Sequence, residues 1–332
     1  MADLALLERL CCARGISGCE EEIREIILEE IRPYADCVEV TPLGNLLAFK
    51  KGANRAKTKL MLNAHMDEVG MTVTYIEDNG LLRFATVGGI DRRVLCGKPV
   101  TVGKGVPGVI GAKPIHLLTS EEREKSVPVK DLYIDIGALS RQEAEEAVFP
   151  GDTAHGMIKS RALDDRAGCA ILIDLLKKPL PYDMLFAFVV QEETGLNGSK
   201  TAAYIADPDA AIVVESTTAA DVAGVPEDKQ VCHVGSGPVL SFMDRRTIYD
   251  RAYYQMAFDA AKETGVSCQA KQAVAGGNDA GAIHVSRGGV RTVAVSLPCR
   301  YLHSAVSLIS QKDFHEAETL IERLAEKIAG GE

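Results

Sequence analysis

Histidines and carboxylates recur along this chain in short stretches whose spacing could hold metal ions or move protons. His65 and Asp67 stand two apart in Ala64-His65-Met66-Asp67-Glu68, and Asp164 and Asp165 adjoin in Ala162-Leu163-Asp164-Asp165-Arg166. Glu192 and Glu193 adjoin in Gln191-Glu192-Glu193-Thr194-Gly195, Glu215 follows Ile212-Val213-Val214, and His303 lies in Arg300-Tyr301-Leu302-His303-Ser304. Imidazole and carboxylate without thiolate form a donor set for zinc, cobalt or manganese. One carboxylate can bridge two such cations roughly 3.5–4 Å apart, the spacing of dinuclear hydrolases. Each residue alone has a plainer explanation: His65 as a hydrogen-bonded core histidine, Asp164 as a helix cap, Glu215 as a strand-end surface charge, His303 as a loop residue. It is their recurrence at the ends of strands that favours a common site, because open α/β sheets build their sites beyond the carboxyl ends of the strands.

The positioning elements can be read around these residues. Met184 to Val190 is an unbroken apolar run that suits a strand buried on both faces. Successive strand side chains point to opposite faces, so Glu192 and Glu193 can serve one site only if the strand has ended, and Thr194-Gly195 and Asn197-Gly198 supply the turn. His65 and Asp67 leave the strand Lys59 to Ala64 on the same side, so one could ligate while the other orients it. Ser17-Gly18-Cys19-Glu20 has the form of a capping box opening a helix that Pro33 ends after about Ile31. Val38 to Phe49 reads as extended and Ala211 to Val214 as a strand. Helices are expected over Ala167 to Leu176, Ser199 to Ala206 and Tyr249 to Thr264, with Thr292 to Leu297 extended and Ser310 capping a final amphipathic helix to Ile328. The alternation implies an α/β fold, a mixed sheet flanked by helices. Residues 68–157 interrupt it with glycine- and valine-rich short strands and frequent turns, which predicts a small β-barrel inserted between catalytic segments 1–67 and 158–332.

Composition excludes several classes of function. The hydrophobic fraction of 46% permits a substantial core, and 37 basic against 47 acidic residues give a net charge of −10 with no basic block, so nucleic acid is not an expected partner. The N-terminal MADLALLERL lacks the basic start of a secretory signal, and no apolar run reaches membrane-spanning length. The nine cysteines are odd in number and contain no CxxC pair, as expected of free thiols in a cytoplasmic protein.

The stretches AHMDEVG (64–70), TVGGID (86–91), GVIGAKPIHLL (108–118), LYIDIGA (132–138), ALDDRAG (162–168), QEETGLNGS (191–199), GGNDAG (276–281) and RYLHS (300–304) resemble, in order and over nearly the whole chain, the dinuclear metallo-aminopeptidases that assemble as tetrahedral dodecamers, similar to glutamyl aminopeptidase. The resemblance implies a zinc-peptidase-like fold and removal of N-terminal residues from short peptides by a metal-activated water. It implies two divalent ions per subunit, zinc or cobalt with manganese as a further option, and dimers, paired through the inserted barrel, that build a dodecamer. By it His65, Asp164 and Glu215 hold one metal and Asp164, Glu193 and His303 the other, with Glu192 as general base and Asp67 fixing the imidazole of His65. Glu215 stands where the family commonly has aspartate, and Ser304-Ala305 replaces the proline and glutamate usual after the last histidine. Residue types alone also permit a metallo-carboxypeptidase or deacylase, and a glycosidase using Glu192 and Glu193 would leave both histidines idle.

Overall fold

The computed structural model describes residues 3–156 and 162–332. The helices are α1 (Leu4–Cys12), α2 (Glu21–Ile31), α3 (Ser120–Glu124), α4 (Arg141–Glu145), α5 (Leu163–Lys177), α6 (Asn197–Ala206), α7 (Arg251–Thr264), α8 (Ala280–Ile283) and α9 (Gln311–Gly330). The strands are β1 (Cys37–Val40), β2 (Leu46–Lys50), β3 (Leu60–His65), β4 (Gly70–Ile76), β5 (Leu82–Val87), β6 (Pro99–Val102), β7 (Val106–Ala112), β8 (Leu132–Asp135), β9 (Thr153–Gly156), β10 (Met184–Val189), β11 (Ala210–Thr218), β12 (Val239–Leu240), β13 (Gln269–Ala270) and β14 (Arg291–Cys299).

Eight strands form the main sheet in the order β1-β2-β10-β3-β11-β14-β12-β13. Its centre, β10-β3-β11-β14, is parallel. Every residue of β3 is buried, as a central strand covered by helices on both faces requires. Leu62, Phe186, Ile212 and Val295 pack on one face with α5 and α9, while Met61, Ala187, Val213 and Ala294 pack on the other with α6 and α8. The parallel arrangement sends His65, the Glu192-Glu193 turn, Glu215 and His303 toward one edge of the sheet. Val189 pairs with His65, and Glu215 pairs with Ser296.

The remaining strands close a barrel in the order β4-β5-β8-β7-β6-β9, sealed by the β4–β9 pairing at Met71–Ala154 and Thr72–Thr153. Its own core includes Val73, Leu82, Val100, Ile110 and Ile134. The mixed sheet and the barrel match the expected fold class. Barrel strands run from Gly70 to Gly156; the junction expected at 157–158 lies outside the described residues.

Local expectations differ from the structure in four places, the first being that β11 runs on to Thr218, so Glu215 lies within the strand rather than after its end. The extended stretch 38–49 is a hairpin, β1 and β2 joined by a turn in which Gly44 has φ of +111°. Ser17 does not cap α2, whose N-cap is Glu20 without a side-chain cap bond; Ser17 Oγ instead donates to Asp67 Oδ2 at 2.5 Å. The acid pair does not precede α5 but lies in its first turn, where Asp164 and Asp165 have non-helical dihedrals, so regular helix starts after them. Ser310 caps α9 as expected, accepting from the Asp313 N–H.

Candidate metal centre and active-site cleft

Asp165, not Asp164, satisfies one of the first free N–H groups of the regular part of α5: its Oδ1 accepts from Gly168 N at 3.1 Å. A Cβ at Gly168 would lie 2.3 Å from Asp165 Oδ2, so the cap requires glycine there. Asp164 is thereby free to face the centre, joined to Asp165 by a cis peptide bond. Its Oδ1 is 3.3 Å from His65 Nε2, and its Oδ2 is 3.4 Å from His303 Nε2. On the first side Glu215 Oε1 also lies 3.4 Å from His65 Nε2; on the second, Glu193 Oε1 lies 3.3 Å from His303 Nε2. The two histidine–carboxylate pairs therefore share the two oxygens of one aspartate.

Each imidazole is oriented from behind. His65 Nδ1 lies 3.2 Å from the Asp67 carbonyl and 3.4 Å from its Oδ1. His303 Nδ1 lies 3.0 Å from the carbonyl of Gly89, in the loop after β5. His303 itself has φ of +55°, a conformation uncommon for a residue with a Cβ and held here by its surroundings. Asp67 also organises the acid pair: its Oδ1 accepts from Glu192 N at 3.0 Å and its Oδ2 from Glu193 N at 3.2 Å. The chain reverses before the pair as well as after it, with Gln191 at φ of +56° and Gly195 at +126°.

This concentration of buried charge shifts ionisation strongly. Burial alone would lower His65, but Glu215, Asp164 and Asp67 raise it well above its usual value. Burial opposes protonation of His303 too, yet Asp164 and Glu193 raise it to about 11. Asp164 is lowered, its burial outweighed by the two imidazoles. Burial and the neighbouring Asp164 carboxylate push Glu215 well up, and burial together with Glu215, Asp279 and Glu193 does the same to Glu192. Divalent cations fit this set. Ligand atoms of His65, Asp164 and Glu193 lie within 4.8 Å of one another, as do those of His65, Asp165 and Glu215. Two buried carboxylate oxygens, Glu215 Oε2 and Asp165 Oδ2, have no hydrogen-bond partner among the described residues, which is costly unless a cation or proton meets them. The longer Glu215 side chain still reaches His65.

The centre opens into a cleft of about 320 Å³, lined by Asp164, Glu192, Glu193, Glu215, His303 and Lys271 among others. His65 lies beneath it, 1% exposed. All the residues singled out from the sequence thus converge. Sequence reasoning missed Ser17, Gly89, Lys271 and the Asn63 Nδ2 that donates to Asp279 Oδ2 at 2.8 Å. Two of these lay in stretches the sequence singled out, Gly89 in TVGGID and Asp279 in Gly276-Gly277-Asn278-Asp279.

A mixed sheet presenting a histidine–carboxylate cluster at its strand ends, with a barrel set between its segments, defines a metallopeptidase architecture. Residues 44–320 match the model of the M42 glutamyl aminopeptidase family, and the chain belongs to that family; it is a hydrolase acting on peptide bonds. It is similar to a TET aminopeptidase from a marine sediment archaeon of the Thaumarchaeota, with a TM-score of 0.94 and 36% identity covering 98% of this chain and 96% of that one. The TET1 peptidase of Pyrococcus horikoshii, described as assembling into a tetrahedron or a large octahedral shell, has a TM-score of 0.87 and 37% identity covering 98% and 99%. The lysyl aminopeptidase of Pyrococcus furiosus is 30% identical, over 99% of this chain and 98% of its own length. Among the described residues, no helix is long and apolar enough to cross a membrane.

Proposed function

We propose that the chain releases N-terminal residues from short peptides at a pair of divalent metals, one held by His65, Asp164 and Glu215 and the other by Asp164, Glu193 and His303. The observation that carries this is Asp164, whose two oxygens each face a different histidine. When bound, the metals supply Lewis acidity, lowering the pKa of water and polarising a carbonyl. The protein's own groups do the rest. Glu192, which makes no ion pair with either histidine among the described contacts, takes a proton from the attacking water and delivers it to the departing amine. Asp67 holds the His65 tautomer through Nδ1 and fixes the Glu192-Glu193 turn through two backbone N–H groups. Glu193 faces His303, which argues against the glycosidase reading, since that reading needs Glu192 and Glu193 both free. The small cleft suits an exopeptidase better than binding of an extended peptide.

Zinc or cobalt is the favoured pair, manganese the next, given imidazole and carboxylate donors. By analogy with the P. horikoshii peptidase, the chain forms a homo-oligomer, dimers building to a dodecamer. Segment 68–157 pairs the subunits and covers the site; its exposed Ile115, Leu139 and Phe149 are surfaces an assembly would bury. Nine free thiols fit a reducing, cytoplasmic setting. The test is chelation followed by reconstitution with zinc, cobalt or manganese, read with aminoacyl fluorogenic substrates and light scattering. Activity that returns with metal supports the reading. Full activity after exhaustive chelation, or cleavage only of N-acetylated substrates, removes it.

A further inference from the structure

Asn278 is the only side-chain amide among the described residues lining the cleft. It is 7% exposed and follows the glycine pair Gly276-Gly277, shortly before α8. The backbone sets the orientation of its amide: the Ala280 N–H donates to it at 2.9 Å, which requires the oxygen, Oδ1, on that side. Nδ2 then faces the Tyr249 hydroxyl at 3.1 Å. The phenol has one hydrogen, and the 2.6 Å contact with Asp244 Oδ2 takes it, so the hydroxyl accepts from Asn278. Burial and the adjacent Asp244 carboxylate raise Tyr249 well above its usual value, which keeps that hydrogen in place. Asp244 is itself fixed, its Oδ1 accepting from Arg246 N at 2.7 Å and from Thr247 N at 2.8 Å.

The amide nitrogen carries two hydrogens, and Tyr249 takes one. The other has no partner among the described residues and belongs to a side chain that lines the cleft. A fixed donor left unused in a nearly dry position is costly unless a bound molecule meets it. Around it stand the carboxylates of Asp164, Glu192, Glu193 and Glu215, and the Lys271 ammonium already donates to the Ala275 carbonyl. When water adds to a peptide carbonyl, negative charge gathers on its oxygen, and in a cleft with four carboxylates that charge calls for donors aimed at it beforehand. The hydroxyls of Thr217, Thr218 and Ser296 also line the cleft, but a hydroxyl hydrogen rotates, whereas this amide is clamped from two sides. We propose that Asn278 Nδ2 donates to the scissile carbonyl oxygen of the peptide and binds it more strongly as it becomes anionic, with Tyr249 and Asp244 holding the amide on aim. This rests on the aminopeptidase reading and deepens it.

The test joins turnover of aminoacyl coumarylamides to the binding of two inhibitors by the metal-loaded enzyme. A leucyl phosphinic pseudodipeptide places tetrahedral, anionic oxygens where the scissile carbonyl would be; isoamylamine offers the amine and side chain of leucine with no carbonyl. Asn278→Ala should retain its metals and lose about 10²–10³-fold in kcat, as removal of an oxyanion donor does. Its KM should stay within about threefold of wild type, because the contact strengthens only as the reaction proceeds. Phosphinate affinity should fall by the same factor as kcat/KM, and isoamylamine affinity should hold. Tyr249→Phe keeps the amide but removes the acceptor behind it, so kcat and phosphinate affinity should fall together by about 3–10-fold, the worth of one hydrogen bond. Wild-type turnover in Asn278→Ala, or a loss confined to KM, overturns the proposal. So does an equal loss of affinity for both inhibitors, which would make Asn278 a support of the metal centre. Should Asn278→Ala fail to fold, Tyr249→Phe decides, and unchanged kcat and phosphinate affinity there overturn the proposal. Cleavage by the wild type with an unaffected Asn278→Ala leaves the aminopeptidase reading standing, whereas no cleavage of any aminoacyl substrate by the wild type removes both.

Discussion

The carbonyl oxygen of Gly89 lies 3.0 Å from Nδ1 of His303, across 214 positions of sequence. A barrel loop thus orients a histidine in the turn that follows β14 of the main sheet, leaving its Nε2 to face Asp164 and Glu193. The barrel is therefore a structural part of the site, beyond the subunit pairing that the resemblance implies for it. Gly88, next in the loop, has φ of +77°, and a Cβ there would lie 2.8 Å from Val69 and 3.3 Å from the Glu193 Cβ. Gly88→Val should lower turnover by about 10–100-fold, the usual cost of disturbing the orientation of a metal-binding histidine. Circular dichroism should show the fold intact; wild-type turnover in a folded variant would disconnect the loop from the site.

Ser17→Ala removes the hydroxyl that donates to Asp67 Oδ2. Asp67 would keep its two backbone donors, so the fold should survive with a stability loss of about 1–3 kcal/mol. Metal affinity should drop by about 10-fold or more through a less constrained His65. Titration of metal into the chelated variant checks this, and unchanged affinity would reduce Ser17 to a loop contact.

Glu20 provides a pH signature separate from the metals. Burial raises its carboxyl to about 7, and Asp67 adds to the rise. Because the folded protein holds this proton more tightly than the unfolded chain, Glu20 costs nothing below about pH 4.5, costs progressively more up to about 7, and costs its full amount above. Glu20→Gln should therefore raise the melting temperature of the metal-free protein at pH 8 and leave it nearly unchanged at pH 4.5. An equal gain at both values would exclude the ionisation as its cause.

Metal affinity should itself fall with acid. His65 and His303 are both raised above ordinary histidine in the metal-free protein, so each must shed a tightly held proton before it can ligate. Affinity should weaken steadily from pH 9 to pH 6, with protons released on binding. Calorimetry in buffers of different ionisation enthalpy would reveal that release, and its absence would count against histidine ligation.

Much of this was legible in the sequence because the site is made at strand ends. Apolar runs placed β3, β10 and β11, and the acids and histidines immediately after or near the ends of such runs had few other places to go. The barrel was readable from its short strands and turns. What escaped was tertiary. Ser17 was compatible with capping α2, and only the fold reveals that its hydroxyl serves Asp67, 50 residues away. Gly89 lies in the quoted stretch TVGGID, but it contributes a carbonyl, a group every residue has, so its contact with His303 could not be read from the sequence. Lys271 sits in Cys268-Gln269-Ala270-Lys271-Gln272, which looks like a solvated stretch until β13 pairs with β12 and carries it to the cleft.

The division of labour between Glu192 and Glu193 is the claim on which the proposed mechanism turns. Glu193 lies 3.3 Å from His303 Nε2, within the proposed ligand set, and a carboxylate committed to a cation has little basicity left for water. Glu192 shares its turn and its tether to Asp67 but not that contact. Metal stoichiometry and turnover should be measured side by side for Glu192→Gln and Glu193→Gln. The account predicts that Glu192→Gln retains two metals per subunit and loses about 10²–10⁴-fold in kcat, as removal of a general base does, while Glu193→Gln loses one metal. Wild-type turnover in Glu192→Gln, or two tightly held metals in Glu193→Gln, would contradict it.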